Sequence, residues 1–470
     1  MSAPPASGDW LPEPDGSTRQ SVAGYGPNGK ADATSEAADF LSGVAPYPVA
    51  IGPEAYYGIT GELVRLIAPH TEADPSFLLV SFLVYAGSVF GRHCHVWAGG
   101  DQHYSNLFAI GVGPTSTGRK GSAHGALALF FHGIDEDWIK AVQSGLSSGE
   151  GLIWAVRDPI FKREKVRNKD GPIKYRDVEV DAGIKDKRVL VRQSEFFGVL
   201  QAMRRQGNTL SPVIRDAWDR GDLNSMVKNS PAKATGAHVS IIGNITKEEL
   251  LRGMLRDDAD NGFANRFLWC CSVRSKSLPE GGKLYEVDFS RLHKRFAQAW
   301  HKRQRFGQLE RDAEAADLWG RDDKPGIGLY SELTKERHGL LGAVTARAAA
   351  QVLRMSLVYA LLDGAQQIRQ EHLLAASEVW RYCLDSARYI FGDTIGDPAA
   401  DQILLHLRRA PDGLTRAQIR DIFDRNKSSD EVTRALMCLH NAGLARFEKE
   451  RTNGRPTERW FAVKSGTYRV

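Results

Sequence analysis

The chain of 470 residues has no apolar run long enough to cross a membrane. Its first residues carry no basic start followed by an apolar core, so no secretory signal is expected and the cytoplasm is the expected location. Cysteine is scarce. The five present, Cys94, Cys270, Cys271, Cys383 and Cys438, form no C-x-x-C pair and no metal-ligand spacing. This argues against a disulfide scaffold and a zinc centre, and the five read as reduced core residues. A strong charge of one sign is also missing. The net charge of +5 permits nucleic acid as a partner without arguing for it. Large apolar residues are few over 1–45, which is rich in Pro, Gly, Ser, Ala and Asp; such a tail cannot offset its ordering entropy by burial.

What remains is an ordinary globular composition, 42% apolar and 25% charged, with length for two to four domains. Helices are expected at 54–68 and 75–90, within a helical N-terminal region over 46–100. Apolar strands at 107–112, 189–192, 238–243 and 267–273 alternate with helical stretches at 122–131, 195–205 and 246–256. That alternation predicts a mostly parallel α/β core over 101–287. Residues 157–192 hold 12 Lys/Arg and 7 Asp/Glu and read as a solvated β-ribbon with a turn at 168–171. Residues 288–396 read as helical. The last unit, 397–470, reads as three helices (401–408, 415–423, 429–442) and a hairpin (445–449, 459–463), the winged-helix pattern. Thr415 and either Ser428 or Ser429 are expected helix caps.

The most telling stretch is 107–122, an apolar strand running into Gly113-Pro-Thr-Ser-Thr-Gly-Arg-Lys-Gly-Ser122. Glycines let backbone N–H groups face phosphates, a cation balances their charge, and a hydroxyl ligates Mg²⁺. Gly113 and Gly118 keep the spacing of G-x-x-x-x-G-K-[ST], but Arg119-Lys120-Gly121 stands where one Lys is usual. Gly113, Thr115, Gly118, Arg119, Lys120, Gly121 and Ser122 are the expected ATP-binding residues. Lys120 is the first choice for the phosphate cation and Arg119 the second, with Ser122 the Mg²⁺ ligand. A glycine-rich surface turn matches the bare pattern as well; the preceding strand and following helix favour the phosphate loop.

ATP hydrolysis also needs an acid for the attacking water and a cation for the transition state. The strand 188–193 leads to Glu195, the first choice for the catalytic carboxylate, with Gln193 and Ser194 where an Asp is often found. Glu150, between Gly149 and Gly151, is the second. Asn244 or Thr246 is placed to sense the γ-phosphate, and either would serve equally as a helix cap. Arg266 suits an arginine finger, with Arg274 and Lys276 as competitors; a structural salt bridge is the plain alternative. Lys228, Lys233, Arg252 and Arg256, near loops assigned to the DNA side, and Arg451 and Arg455 at the wing tip, are the nucleic-acid candidates.

Several of these blocks occur in a fixed order: Pro69-His-Thr-Glu-Ala-Asp-Pro75, Gly118-Arg-Lys-Gly-Ser122, Gly145-Leu-Ser-Ser-Gly-Glu-Gly151, Glu195-Phe196, Ile214-Arg-Asp-Ala-Trp-Asp219 and Asn261-Gly-Phe-Ala-Asn-Arg-Phe-Leu268. In this the chain resembles the YfjI-type proteins of bacteria, phages and mobile elements, whose core is similar to RecA-like hexameric helicases. The resemblance spans roughly 45–463. It implies a RecA-like P-loop ATPase core with helical flanking regions and a C-terminal winged helix. It further implies ATP and Mg²⁺ as cofactors, DNA as partner, a homo-oligomer such as a hexameric ring, and a separate primase if one is needed. An ATP-dependent DNA helicase or translocase is the leading expectation. An ATP-regulated DNA-binding or scaffold protein is the second, and a small-molecule kinase the third.

Overall fold

The computed structural model describes residues 45–463 apart from 116–117, 167–173, 226–231, 255–257, 259–260, 325, 338, 393–396, 442 and 451–456. Its centre is a five-stranded sheet of β1 (Phe108–Val112), β2 (Val142–Gln143), β3 (Arg188–Gln193), β4 (His238–Ile245) and β5 (Phe267–Cys271). The spatial order is β5-β1-β4-β3-β2, and every neighbouring pair is parallel. The protein is thus a mixed α/β protein built on a parallel sheet.

The sequence dictates this through two-sided burial. Ala109, Leu190, Ile242, Leu268 and Cys270 enter one core, while their neighbours Phe108, Ile110, Val189, Val191, Ile241 and Trp269 enter the other. A strand with both faces covered reads as a continuous apolar run, and such strands belong in parallel sheets.

On the first face lie α1 (Pro75–Phe90) and α2 (Lys120–His132). The Asp74 carboxylate caps α1 by accepting the Ser76 N–H at 2.8 Å, and Pro75 opens the helix. Every residue from Ser76 to Phe90 is buried, as a helix apolar on all sides requires. The second face is covered by α3 (Gly149–Ala155), α4 (Phe197–Met203) and α5 (Leu210–Asp219). After β4 comes α6 (Lys247–Gly253); further on are α7 (Ala348–Leu362) and α8 (Gln370–Phe391). Helix α7 packs into the first core beside α1, so the helical segments before and after the sheet share one hydrophobic interior.

Several elements differ from expectation. Residues 288–391 also hold two short strands, Glu310–Arg311 and Gln367–Ile368, paired in parallel. The N-terminal region includes a hairpin of His95–Ala98 and Asp101–Tyr104. Edge strand β2 and a second hairpin, Leu223–Ser225 with Ala232–Ala234, have too few residues to show a period. The charged ribbon is present as Ile160–Val166 paired with Lys174–Asp181; its expected turn lies outside the described residues.

The C-terminal unit has a core of its own around Ile403, Leu407, Ile419, Leu436 and Trp460. Three helices, Pro398–Arg409, Arg416–Asp421 and Ser429–Asn441, accompany a three-stranded antiparallel sheet. Thr415 and Gln418 form a reciprocal capping box, and Ser428 rather than Ser429 caps the third helix by accepting the Glu431 N–H. All five cysteines are unbridged; four are buried and Cys438 is half-buried. Among the described residues no helix is long and apolar enough to cross a membrane.

Candidate functional site

Strand β1 delivers the glycine loop at the carboxyl edge of the sheet. Its packing requires Gly113, because a Cβ there would lie 2.0 Å from the Ser272 carbonyl oxygen. The Gly113 N–H donates to the Ile245 carbonyl at 3.2 Å and the Ser272 hydroxyl donates to the Gly118 carbonyl at 3.3 Å. The ends of β4 and β5 therefore hold the loop from beneath. Gly118 closes a turn by donating to the Pro114 carbonyl at 3.2 Å. Arg119 adopts a left-handed conformation with φ 45°, and the chain then enters α2. Thr115 is exposed, Gly121 lies in open space and Ser122 is half-buried in the first turn of the helix.

The Lys120 ammonium turns back over the loop. It donates to the Gly113 carbonyl at 2.5 Å and to that of Pro114 at 3.1 Å. Burial lowers it to about 8, with Glu249 and Glu248 opposing the shift. A cation poised over loop carbonyls is placed to exchange them for phosphate oxygens. Arg119 is otherwise engaged: its Nε lies 2.5 Å from Glu72 Oε2. The same carboxylate takes the Arg274 guanidinium and accepts the Leu278 N–H at 2.6 Å. Hydrogen bonds from that N–H and from Arg274 hold Glu72 below the usual carboxylate range. Asp74, in the same Pro69–Pro75 block, accepts the Val273 N–H at 3.1 Å. Lys276 donates to the Ala68 carbonyl at 2.9 Å. Arg274 and Lys276 thus fasten the segment after β5 to residues 68–72, just before α1.

Strand β4 lies between β1 and β3, so its end separates the glycine loop from the Glu195 turn. Asn244 pairs in register with Gly111 and is buried, its side chain beside the buried His124 of α2. Its carbonyl accepts the Phe196 N–H at 2.8 Å, tying the two strand ends. The helix cap is Thr246, which forms a capping box with Glu249; this accounts for Thr246 and leaves Asn244 as the polar group facing the loop strand. Glu195 is exposed and precedes α4, which starts at Phe197 rather than at Glu195. Gln193 takes part in a different job: with its amide oriented by the hydrogen-bond network, its oxygen accepts from the Leu146 and Gly145 N–H groups. Glu150, in the first turn of α3, accepts the Thr209 hydroxyl at 2.8 Å and so joins α3 to the start of α5.

The remaining candidates separate. Arg266 precedes β5, at the amino edge of the sheet. It is only 5% exposed and forms an ion pair with Asp219 at 2.5 Å. It cannot reach the loop of its own chain, which lies a strand length away, roughly 15 Å. Lys233 is exposed on the hairpin that precedes β4, also at the amino edge. Arg252 is exposed on α6, which follows β4, and stacks over Phe197 at 4.8 Å. Lys233 and Arg252 therefore occupy opposite edges and do not form one loop cluster, because the hairpin enters the strand that α6 leaves. Lys228, Arg256, Arg451 and Arg455 lie outside the described residues.

Sequence reasoning missed two anchoring carboxylates, one at the site and one at the opposite edge of the sheet. Glu72 is separated from Arg119 by a whole helix and hairpin, and only its place in the Pro69–Pro75 block marked it. Asp158 is the other. Its carboxylate accepts the Lys187 ammonium at 2.8 Å, the Thr235 hydroxyl at 2.6 Å and the Thr235 N–H at 3.0 Å, joining both hairpins to the start of β3. No protein-family model and no curated protein matches the chain.

Proposed function

We propose that this chain is an oligomeric P-loop ATPase with a RecA-like core, coupling ATP hydrolysis to movement along DNA or its remodelling. The reading is carried by one observation: the loop from Gly113 ends at the first turn of α2 with the Lys120 ammonium folded over the loop carbonyls. In this reading the triphosphate draws Lys120 off Gly113 and Pro114, and backbone N–H groups at the first turn of α2 hold the phosphate oxygens. The Ser122 hydroxyl, half-buried in the first turn of α2, would hold Mg²⁺, which would supply charge neutralisation. Glu195, exposed beyond β3, accepts the proton of the attacking water, and the Asn244 amide reports the γ-phosphate across β4. Arg266 would act only on the nucleotide of another copy, after release from Asp219. Residues 397–470 would serve as a winged helix that engages DNA.

A second reading, an ATP-regulated DNA-binding or scaffold protein, is favoured by two observations. Gln193 is committed to Gly145 and Leu146 where a metal-orienting Asp would stand, and Arg266 is buried against Asp219. ATP hydrolysis by wild type, Lys120→Ala and Glu195→Gln, with and without single-stranded DNA and with mass recorded, separates the two. DNA-stimulated turnover that depends on assembly and is lost in both variants supports the motor. ATP binding without turnover under any condition selects the second reading.

A further inference from the structure

At the amino edge of the sheet, opposite the glycine loop, three arginines converge on one indole. The Arg354 guanidinium lies 3.6 Å from the Trp218 ring centroid, that of Arg347 5.2 Å and that of Arg266 5.8 Å. They come from different parts of the chain: Arg266 from the approach to β5, Arg347 from the cap of α7, and Arg354 from within α7. Trp218 and Asp219 close α5. The sequence blocks 214–219 and 261–268, which the glycine loop does not use, thus meet here.

One carboxylate is shared between two of these cations. Asp219 alone takes both Arg266, at 2.5 Å, and Arg347, at 3.5 Å. Arg354 has only neutral acceptors, the Asn106 side chain at 2.8 Å and the Trp218 carbonyl at 2.8 Å. Burial pulls its guanidinium down to about 9; Asp219 opposes this, while Arg92, Arg347 and Arg266 add to it. Asp101 acts on Arg347, Asp222 on Arg92, and Asp216 sits beside Asp219. Among the described residues, three buried donors have no hydrogen-bond partner: Arg266 Nε, Arg354 Nε and Trp218 Nε1. An unpaired buried donor is costly, and an anion seated between Arg347 and Arg266 would satisfy the Arg266 Nε. The cluster opens to solvent where the side chains of Arg347 and Asp219 are 36% and 30% exposed.

We propose that this cluster is a phosphate-binding site, with Arg347 and Arg266 as the contacting cations and Asp219 as the carboxylate that holds their place until phosphate arrives. Planar guanidinium forks suit a tetrahedral oxyanion with more charge than a carboxylate. The cations converge on a point, whereas a nucleic-acid backbone calls for cations spread along a line. The chain's own loop being at the other edge, the phosphate comes from solution or from a nucleotide carried by another copy.

The test is calorimetric titration of pyrophosphate into the full chain, with the Lys120→Ala variant as background so that the glycine loop lacks its cation. Binding is expected to persist there, to weaken at least tenfold when Arg347→Gln is added, and to tighten severalfold with Asp219→Asn. Thermal unfolding monitors folding, and Arg347→Lys, which keeps the charge but not the fork, should recover only part of the affinity. If Lys120→Ala alone removes all pyrophosphate binding, or Arg347→Gln leaves affinity unchanged, the proposal is overturned while the ATPase reading stands. If Arg347→Gln abolishes binding and Lys120→Ala has no effect, the cluster is the phosphate site and the glycine-loop reading fails instead. Mass measurements then assign the source. ATP-dependent association lost in Arg347→Gln identifies another copy's nucleotide; unchanged mass alongside pyrophosphate binding identifies free phosphate.

Discussion

Glu72 holds Arg119 at 2.5 Å, and in doing so keeps the second cation of the glycine loop turned away from the first. The carboxylate competes with any phosphate for that guanidinium. Glu72→Gln should therefore tighten ATP or pyrophosphate binding by about threefold, since a part-exposed ion pair contributes up to about 1 kcal/mol. Weaker binding would mean that Glu72 instead supports the loop's bound shape. Fluorescence titration with a labelled nucleotide distinguishes the two.

Lys120 gives the loop a pH signature. In the unliganded protein its ammonium loses its proton around pH 8, whereas the ordinary lysine value is 10.5. Phosphate binds the charged form, so nucleotide affinity should be level below pH 8 and fall by up to about tenfold per pH unit above it. The linked effect on folding has the opposite sense. The cost of burying this ammonium is fully present below pH 8 and is relieved as pH rises toward 10.5. A flat affinity between pH 7 and 9.5 would remove Lys120 from the site.

Two loop glycines should respond differently to a methyl group. Gly113→Ala drives a Cβ to 2.0 Å from the Ser272 carbonyl oxygen and should destabilise the fold by roughly 1–3 kcal/mol while abolishing nucleotide binding. At Gly121 a Cβ meets nothing, so Gly121→Ala should leave stability within about 0.5 kcal/mol. Loss of nucleotide affinity in Gly121→Ala, with thermal stability intact, would show that the ligand approaches the backbone at that residue. Retained affinity would mark Gly121 as dispensable.

The Asp158 carboxyl offers a structural counterpart. Burial alone would raise it, but hydrogen bonds from the Lys187 ammonium and from Thr235 outweigh this and hold it at about 2. A lowered carboxyl stabilises the fold above the unfolded value of 3.8, and that contribution is lost as pH falls toward 2. Asp158→Asn should cost about 1 kcal/mol at pH 7 after allowance for solvent contact, and nearly nothing at pH 2. Urea melts at the two pH values give the difference; an equal cost at both would assign the effect to shape rather than charge.

Much of the sheet was legible because burial on two sides writes a plain signal. Strands β1, β3, β4 and β5 lie within one or two residues of the apolar runs that marked them, and α1 begins at the Asp74-Pro75 cap. Thr415 was legible for the same local reason, since its partner Gln418 is three residues away. Strand β2 and the Leu223–Ala234 hairpin were not, because two or three residues carry no period. Within the site, the loop itself was readable, being contiguous. Its surroundings were not: Glu72 with Arg119, and Asp219 with Arg266, are pairs created by the path of the chain through the sheet. The side of the sheet on which Lys233 falls depends on strand direction, which its own neighbours do not encode.

Both borders of the central sheet are poor templates for further strands among the described residues. Along β5, the Ser386 hydroxyl accepts the Cys271 N–H at 3.1 Å and the Tyr382 hydroxyl donates to the Cys271 carbonyl at 2.7 Å, so α8 occupies the end of that strand. On the other border β2 offers only Val142 and Gln143, too short a template for a guest strand. Among the described residues, the central sheet thus offers copies of this chain only a short template at one border and a strand with a capped end at the other. Assembly that uses this layer is therefore favoured through side chains meeting across folded surfaces, which leaves its geometry open to adjustment by single substitutions.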